Sequence, residues 1–496
     1  MAAESVPPVP RKAIVTALVL MAGGLAVIFD STIVSIALRT LADELRVPVS
    51  TVQWVSTGYL LALGVTIPVV GWAQARFGGK RLWMVGLTIF LLASVACSLA
   101  WNAQSLIAFR VVQGLGGGVM MPLMATLAIQ QLPGGVGLGR LMALVSLPAA
   151  LGPILGPTIG GLILNVASWR WLFWVNVPFC LVGLVLAWRM LPDDPPTGRA
   201  RLDVVGLGLI APGLVGILYG LSNVSGAGGF SRADVWLPVI LGALLLAGFV
   251  WWAARRPAIA LVDVSLLRRR SVGSSSAVMF LSGASLYGSM LLLPLFFQIV
   301  HGKDALAAAL LLIPQGVGAL LSRTLAGSLT DRIGARVVAI AGFVVMGAAT
   351  VPFALADAGT SPWWLMAVLV VRGFGMGAVM IPVMSVAYVG LGRAEVPHAS
   401  IITRLAQQIG GAFGTALLAV ILESTTQDAH NLAELAHGFD VAFWWAVGFT
   451  VVAIAICWAL PARPPAPADG APSEPGDAPG RRGPAPAEPA APATAR

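Results

Sequence analysis

Charge is what this chain has least of. Only 10% of its 496 residues are Asp, Glu, Lys or Arg, against about 25% in ordinary globular domains. By contrast 58% are hydrophobic, and the mean hydropathy is +0.88. A chain this long with so little charge lacks the polar surface to cover itself in water, which excludes a soluble enzyme. Cysteine is scarce too. Cys97, Cys180 and Cys457 all lie in apolar stretches, make neither a disulfide framework nor a metal cluster, and read as helix packing. Lysine occurs only at 12, 80 and 303. No glycine-rich nucleotide loop with its lysine, no metal-ligand spacing and no nucleophile triad can be read. Enzyme activity, ATP, metals and cofactors are therefore not expected. The net charge of +9 is spread in short basic clusters between apolar runs rather than along one polar face, which speaks for topology signals and against nucleic acid as a partner.

What is abundant is apolar sequence in long runs. A bilayer core about 30 Å thick needs about 20 apolar residues per helix, and residues 13–460 divide into fourteen such runs, one of them at 138–165. The expected fold class is an all-α integral membrane protein with fourteen spans. Basic residues collect on one side, with Arg11, Lys12, Arg76, Lys80, Arg81, Arg140, Arg255, Arg256, Arg268 to Arg270, Arg332 and Arg336 among them. The other side holds only Arg39, Arg46, Arg170, Arg232 and Lys303. By the positive-inside rule both termini are expected in the cytoplasm, of a bacterium if the Ala, Gly, Pro and Arg bias is a guide. Residues 461–496 are rich in Pro and Ala and are expected to be disordered.

An internal repeat organises the runs. Gly71-Trp-Ala-Gln-Ala-Arg-Phe-Gly-Gly-Lys-Arg81 has a counterpart in Gly327-Ser-Leu-Thr-Asp-Arg-Ile-Gly-Ala-Arg336, with Gly71 and Gly327 256 residues apart. Arg110, before Gln113 and Gly114, has a counterpart in Arg372, before Gly373 and Gly375. The expected organisation is a cytoplasmic N-terminus (1–12), two pseudo-symmetric six-helix bundles (13–191 and 272–460), a linker (192–271) carrying two inserted transmembrane helices, and the tail.

Among all Asp and Glu residues only Asp30 falls well inside a run. An ionised carboxylate in the membrane interior is costly, so Asp30 is paired, hydrated or protonated. It reads as a proton site or as a tether between helices. Arg110 also lies mid-run, cannot readily lose its charge, and has two competing roles, coupling to Asp30 or scaffolding. Gln113, one turn on, shares its helix face. No acid is evident for Arg372, which reads as helix-end packing, and Arg323 and Arg404 read as side chains snorkelling to the interface. Gly152, Gly156 and Gly160, with Pro153 and Pro157 between them, recur every four residues and permit close helix approach.

Together the Gly71–Arg81 loop, the Arg110 helix, Gly152-Pro-Ile-Leu-Gly-Pro-Thr-Ile-Gly-Gly161, Phe29-Asp-Ser-Thr-Ile-Val-Ser-Ile-Ala-Leu38, Ser168-Trp-Arg-Trp-Leu-Phe-Trp-Val-Asn-Val-Pro178 and Gln408-Ile-Gly-Gly-Ala-Phe-Gly414 carry a resemblance over nearly the whole chain outside the tail. The chain resembles the fourteen-helix drug:proton antiporter branch of the major facilitator superfamily. The resemblance implies two bundles rocking about a central cavity, with proton coupling at Asp30, Arg110 and Gln113. It implies gating by Gly71, Arg76, Gly78, Lys80, Asp331, Arg332 and Arg336 in the two loops, and by Gly152, Gly156, Pro157, Gly160 and Gly161 in a motif associated with exporters. Ala75 departs from the acid usual in the first loop, whereas the second copy keeps Asp331, which implies a weaker or one-sided cytoplasmic latch. Trp54, Tyr59, Tyr287, Phe297, Gln298, Gln315 and Gln408 are candidates for the cavity.

The resulting expectation is efflux of hydrophobic drugs or antibiotics driven by the proton-motive force. The expected partners are protons, lipophilic neutral or monocationic small molecules and membrane lipids; the oligomeric state is not legible. A lipid or glycolipid exporter is the rival transporter, and a non-transporting sensor or scaffold the rival of another class.

Overall fold

The computed structural model describes residues 10–461 except 48, 133–137, 146, 194–195, 197–201, 225–230, 258, 393 and 428. Nearly all of the 461–496 tail, and the start of the N-terminal segment, lie outside the described residues.

The described chain is helical throughout. The first half holds α1 (Arg11–Leu45), α2 (Val49–Thr66), α3 (Val70–Phe77), α4 (Gly79–Ser98), α5 (Ala103–Gln130), α6 (Leu138–Val145), α7 (Leu147–Val166), α8 (Trp171–Trp174) and α9 (Asn176–Met190). The insert holds α10 (Val204–Ser222) and α11 (Ala233–Arg255). The second half holds α12 (Arg270–Ile299), α13 (Ala305–Leu311), α14 (Ile313–Ile333), α15 (Ala335–Thr350), α16 (Pro362–Ala387), α17 (Val396–Thr426) and α18 (Leu432–Cys457). A helix satisfies its own backbone hydrogen bonds, which lipid cannot do for it, so long apolar runs take this form. Polar caps start several of them. Asn102 and Ser105 form a reciprocal capping box on α5, while Asp203, Asp304 and Asn431 accept backbone N–H groups at the heads of α10, α13 and α18.

Thirteen candidate membrane spans lie among the described residues, against the fourteen runs read from sequence. The difference is the run at 138–165. It is present as α6 and α7, several of whose side chains lie outside the described ones.

Packing repeats with the sequence. In the first half α1 packs on α7 and α9, α2 and α4 pack on α5, and α4 packs on α9. In the second half α12 packs on α17 and α18, α14 and α15 pack on α16, and α15 packs on α18. The two loop motifs also close with the same backbone turn. Gly78 has φ 83° and ψ 149°, Gly334 has φ 92° and ψ 149°, and each starts the next helix from a conformation that only glycine adopts without strain. These residues are 256 apart, the same spacing as Gly71 and Gly327.

The halves meet where α6 and α7 lie along α14, α16 touches α6, and α17 touches α3 and α5. The inserted pair is a tight hairpin. A Cβ on Gly216 would come within 2.6 Å of the Pro238 carbonyl oxygen, and one on Gly220 equally close to that of Val235. The hairpin seats on the main body through α10, which packs on α2 and α17.

Candidate functional site

The centre of the first half is a polar cluster with almost no exposure. Asp30 on α1, Gln113 on α5 and Asn176 at the head of α9 are all 0% exposed, and Arg110 is 1% exposed. The Arg110 guanidinium donates from Nη1 to Asp30 Oδ2 as a buried ion pair. The other carboxylate oxygen, Oδ1, accepts from Gln113 Nε2 at 3.0 Å and from Asn176 Nδ2 at 2.9 Å.

Each partner is itself held. Arg110 donates from Nη1 to Gln113 Oε1 at 2.9 Å and from Nε to the Val55 carbonyl at 3.0 Å. Its guanidinium carbon lies 4.1 Å from the centroid of the Tyr59 ring, a geometry in which the π face adds to the stabilisation of the cation. The Tyr59 hydroxyl donates to the Val27 carbonyl at 3.3 Å, and Asn176 also donates to Ser94 Oγ at 3.1 Å. Two spans, α5 and α9, therefore bond the carboxylate of α1 directly, and α2 and α4 hold those partners, so a charge that lipid would reject is compensated within the protein.

Asn176 and Ser94 were not singled out in the sequence. Asn176 lies inside Ser168–Pro178, quoted for its resemblance alone, and an amide at the start of an apolar run was the available signal.

The glycine ridge of α7 lies against α1 on either side of Asp30. A Cβ on Gly152 would meet Ile28, one on Gly156 would fall 2.0 Å from Thr32 Oγ1, and one on Gly160 would fall 2.9 Å from Ile33 Cγ1. Thr32 Oγ1 donates to the Gly152 carbonyl at 3.1 Å. Gly161 faces the other half, where its Cβ would meet Leu306 at 2.8 Å. The Pro157 side chain lies outside the described ones.

At the first loop, Gly71 packs against Ile401 at the head of α17, where a Cβ would sit 3.3 Å away. Nearby, the Ser400 hydroxyl donates to the Pro122 carbonyl of α5 at 3.2 Å. Lys80 pairs with Asp193 at 2.9 Å, and Arg336 donates to the Leu460 carbonyl at 2.7 Å. Arg76 and Arg332 are exposed, and Asp331 is half-buried.

Several expectations need correction. Tyr59 does not line a cavity, because its ring covers Arg110 and is 1% exposed. Phe297 is 0% exposed and packs with Phe296 and Phe353 in the aromatic core of the second half. Gln315 accepts from Arg372 Nη1 at 2.9 Å. Arg372 is not at a helix end but buried mid-helix, donating also to Thr350 Oγ1 at 3.1 Å and to Ser289 Oγ. Arg323 does not snorkel, being 5% exposed. Trp54 stacks on Tyr219 of the inserted pair at 5.5 Å between centroids. Gln298 is half-buried near the end of α12. Tyr287 and Gln408 do line a cavity, one of about 240 Å³ between α2, α10, α12 and α17.

Comparison with known proteins agrees with this architecture. The chain is 37% identical over 398 residues to the multidrug resistance protein B homolog of Mycobacterium tuberculosis, covering 79% of this chain and 73% of that protein. It is 29% identical over 429 residues to the lincomycin resistance protein LmrB of Listeria monocytogenes, covering 86% and 89%. The crystal structure of the human organic anion transporter MFSD10 (TETRAN) shares the fold, with a TM-score of 0.61 at 15% identity over 90% of this chain and 100% of that one. Residues 20–415 match the Major Facilitator Superfamily, and a match over most of its length, on a multi-pass helical body, makes the chain a member of that superfamily of transporters.

Proposed function

We propose that the chain exports lipophilic, neutral or monocationic small molecules across a bacterial cytoplasmic membrane in exchange for protons, by alternating access, with both termini in the cytoplasm. The observation that carries this reading is the sealed carboxylate site on α1. Asp30 has the Arg110 guanidinium as its buried counter-charge. A proton arriving on Asp30 cancels its charge and leaves Arg110 without its counter-ion in a region of low dielectric. That state is relieved by rearranging the helices around it.

The route from the carboxylate to the interface between halves is short. Asp30 shares α1 with Thr32 and Ile33, which hold the α7 glycine ridge, and α7 in turn meets α13 and α14. Packing this close resists gradual deformation and favours discrete arrangements. With the loop motifs on the cytoplasmic side, the contacts of Gly71 with Ile401 and of Ser400 with Pro122 close the cytoplasmic end. The resistance names of the relatives support drugs as the cargo.

The test is substrate-induced proton movement in proteoliposomes, comparing wild type with Asp30→Asn against neutral, monocationic and dicationic amphiphiles. Wild type is expected to release protons with the first two classes. Asp30→Asn is expected to exchange substrate downhill without moving protons. Uphill transport by Asp30→Asn would refute the proton role, and equal export of dications would refute the substrate class.

A further inference from the structure

The inserted pair has a side that the alternating-access reading does not use. The cavity of about 240 Å³ is bounded by α2 and α17, which come from opposite halves, by α12, and by the end of α10 from the insert. Without α10 this space would be a cleft on the flank of the molecule. With it, Leu218 and Ser222 supply the missing wall. The wall is fixed in place by the Trp54–Tyr219 stack and by close contact of Leu218 with Gly64, where a Cβ would lie 3.1 Å away. An apolar cluster of Leu221, Val224, Val235 and Ala416 ties the hairpin to α17 as well.

The lining says what fits. Among the described residues it contains no Asp, Glu, Lys, Arg or His, and half of it is Leu or Ala. Its polar groups include Thr57, Tyr287, Gln408 and Thr415, and among the described residues neither the Gln408 amide nor the Tyr287 hydroxyl has a hydrogen-bond partner. Tyr287 is 38% exposed although it lies midway along α12, which puts the cavity midway along that span. An apolar pocket with a few convergent polar groups suits a ligand with an apolar body and one hydrogen-bonding group. The volume lies just below the usual range of about 300–1,000 Å³ for drug-sized ligands, which matches a slim molecule or one arm of a larger one. A cation would find no counter-charge here.

We propose that this cavity is a binding site for uncharged amphiphiles drawn from the bilayer, and that the inserted pair exists in part to build its outer wall. The proposal rests on the reading of the chain as a transporter of lipophilic molecules, but its test reads binding alone. Purified full-length protein in lipid nanodiscs is photolabelled with a long-chain alkanol bearing a diazirine, with and without excess unlabelled alkanol, and the adducts are mapped by peptide mass spectrometry. The variants are Leu218→Trp, which fills the cavity from the insert side, and Gln408→Leu, which removes the free amide without adding bulk. Thermal unfolding of each verifies its fold.

Labelling is expected to concentrate on the facing stretches of α10 and α17, to be displaced by unlabelled alkanol, and to fall about tenfold in each variant, the equivalent of about 1.4 kcal/mol. A quaternary ammonium of the same chain length is expected to compete poorly. Labelling spread evenly over lipid-facing helices and unmoved by Leu218→Trp would overturn the site, and equal competition by the quaternary ammonium would overturn its preference for uncharged ligands. Site-specific labelling in a protein that moves no substrate would instead count against the transport reading and leave the site standing.

Discussion

Removing either charge from the Asp30–Arg110 pair should cost far more stability than removing both. Asp30→Asn deletes the counter-charge while Arg110 keeps its bonds to Gln113 at 2.9 Å and to the Val55 carbonyl at 3.0 Å, and its seat on Tyr59. The new amide also turns an N–H toward groups that donate to the carboxylate, namely Arg110, Gln113 and Asn176. Arg110→Gln leaves an ionised or newly protonated carboxyl in the same sealed space. Breaking a buried pair from one side costs about 3–5 kcal/mol, whereas replacing both partners by neutral groups is often close to neutral. For one compact unit of this size that corresponds to a fall in Tm of about 3–5 °C for each single variant. The double variant Asp30→Asn/Arg110→Gln should recover most of it, giving a coupling energy on the order of 5–9 kcal/mol in a double-mutant cycle. The chain carries its own reporters, since Cys97, Cys180 and Cys457 are all buried. A thiol-reactive fluorogenic dye added during a thermal ramp in detergent therefore reads unfolding directly. Single variants within about 0.5 kcal/mol of wild type, or effects that simply add in the double variant, would refute the reasoning.

Other perturbations test other links. Gly156→Ala places a methyl group 2.0 Å from Thr32 Oγ1 and 3.3 Å from the Ile33 nitrogen. It should cost about 1–3 kcal/mol by overpacking and be partly rescued by Thr32→Ala; an unchanged unfolding temperature would deny the close α1–α7 approach. Gly78→Ala and Gly334→Ala force a side chain into the same positive-φ turn and should each lose about 1–3 kcal/mol, with a large difference between them counting against equivalent turns. His301 lies beside Phe296 and Phe297 at 5.2 and 5.7 Å between centroids. Burial first, and then the nearby Lys303, hold its pKa below the ordinary 6.5. Because the unfolded chain takes up this proton more readily than the folded one, stability should be lost as pH falls from about 6.5 downward. His301→Phe should flatten that part of a Tm-against-pH curve.

The sequence exposes the outline of this protein because lipid enforces it. Spans must be long and apolar, and a lone Asp30 or Arg110 inside one stands out against that background. The repeat is equally plain, since Gly78 and Gly334 must be glycine to make their turns. Side-chain direction is harder to read. Helices buried in protein on one side and in lipid on the other are apolar all round, so no periodicity distinguishes the faces of α2 or α12. Tyr59 and Trp54, five residues apart on α2, were read alike, yet one lies over Arg110 and the other against the inserted hairpin. Asn176 does not stand out because nothing in a single sequence says that the head of α9 reaches the carboxylate on α1. The setting of Arg372 is not legible because its acceptors, Thr350, Gln315 and Ser289, are common neutral residues scattered over three other helices.

That last arrangement has an electrical consequence. The guanidinium of Arg110 is cancelled by a carboxylate, so a voltage across the membrane exerts no net force on the pair. The hydrogen-bond acceptors of Arg372 are all neutral, so the same voltage pulls on it, with about 2.3 kcal/mol per 100 mV for a full crossing and proportionally less for a partial one. In the exchange proposed above, the first half would present a neutral pair until a proton reached Asp30, while the second carries a buried arginine bonded to neutral groups. A voltage would then bear on the second half throughout the proposed cycle, and on the first only while Asp30 held its proton.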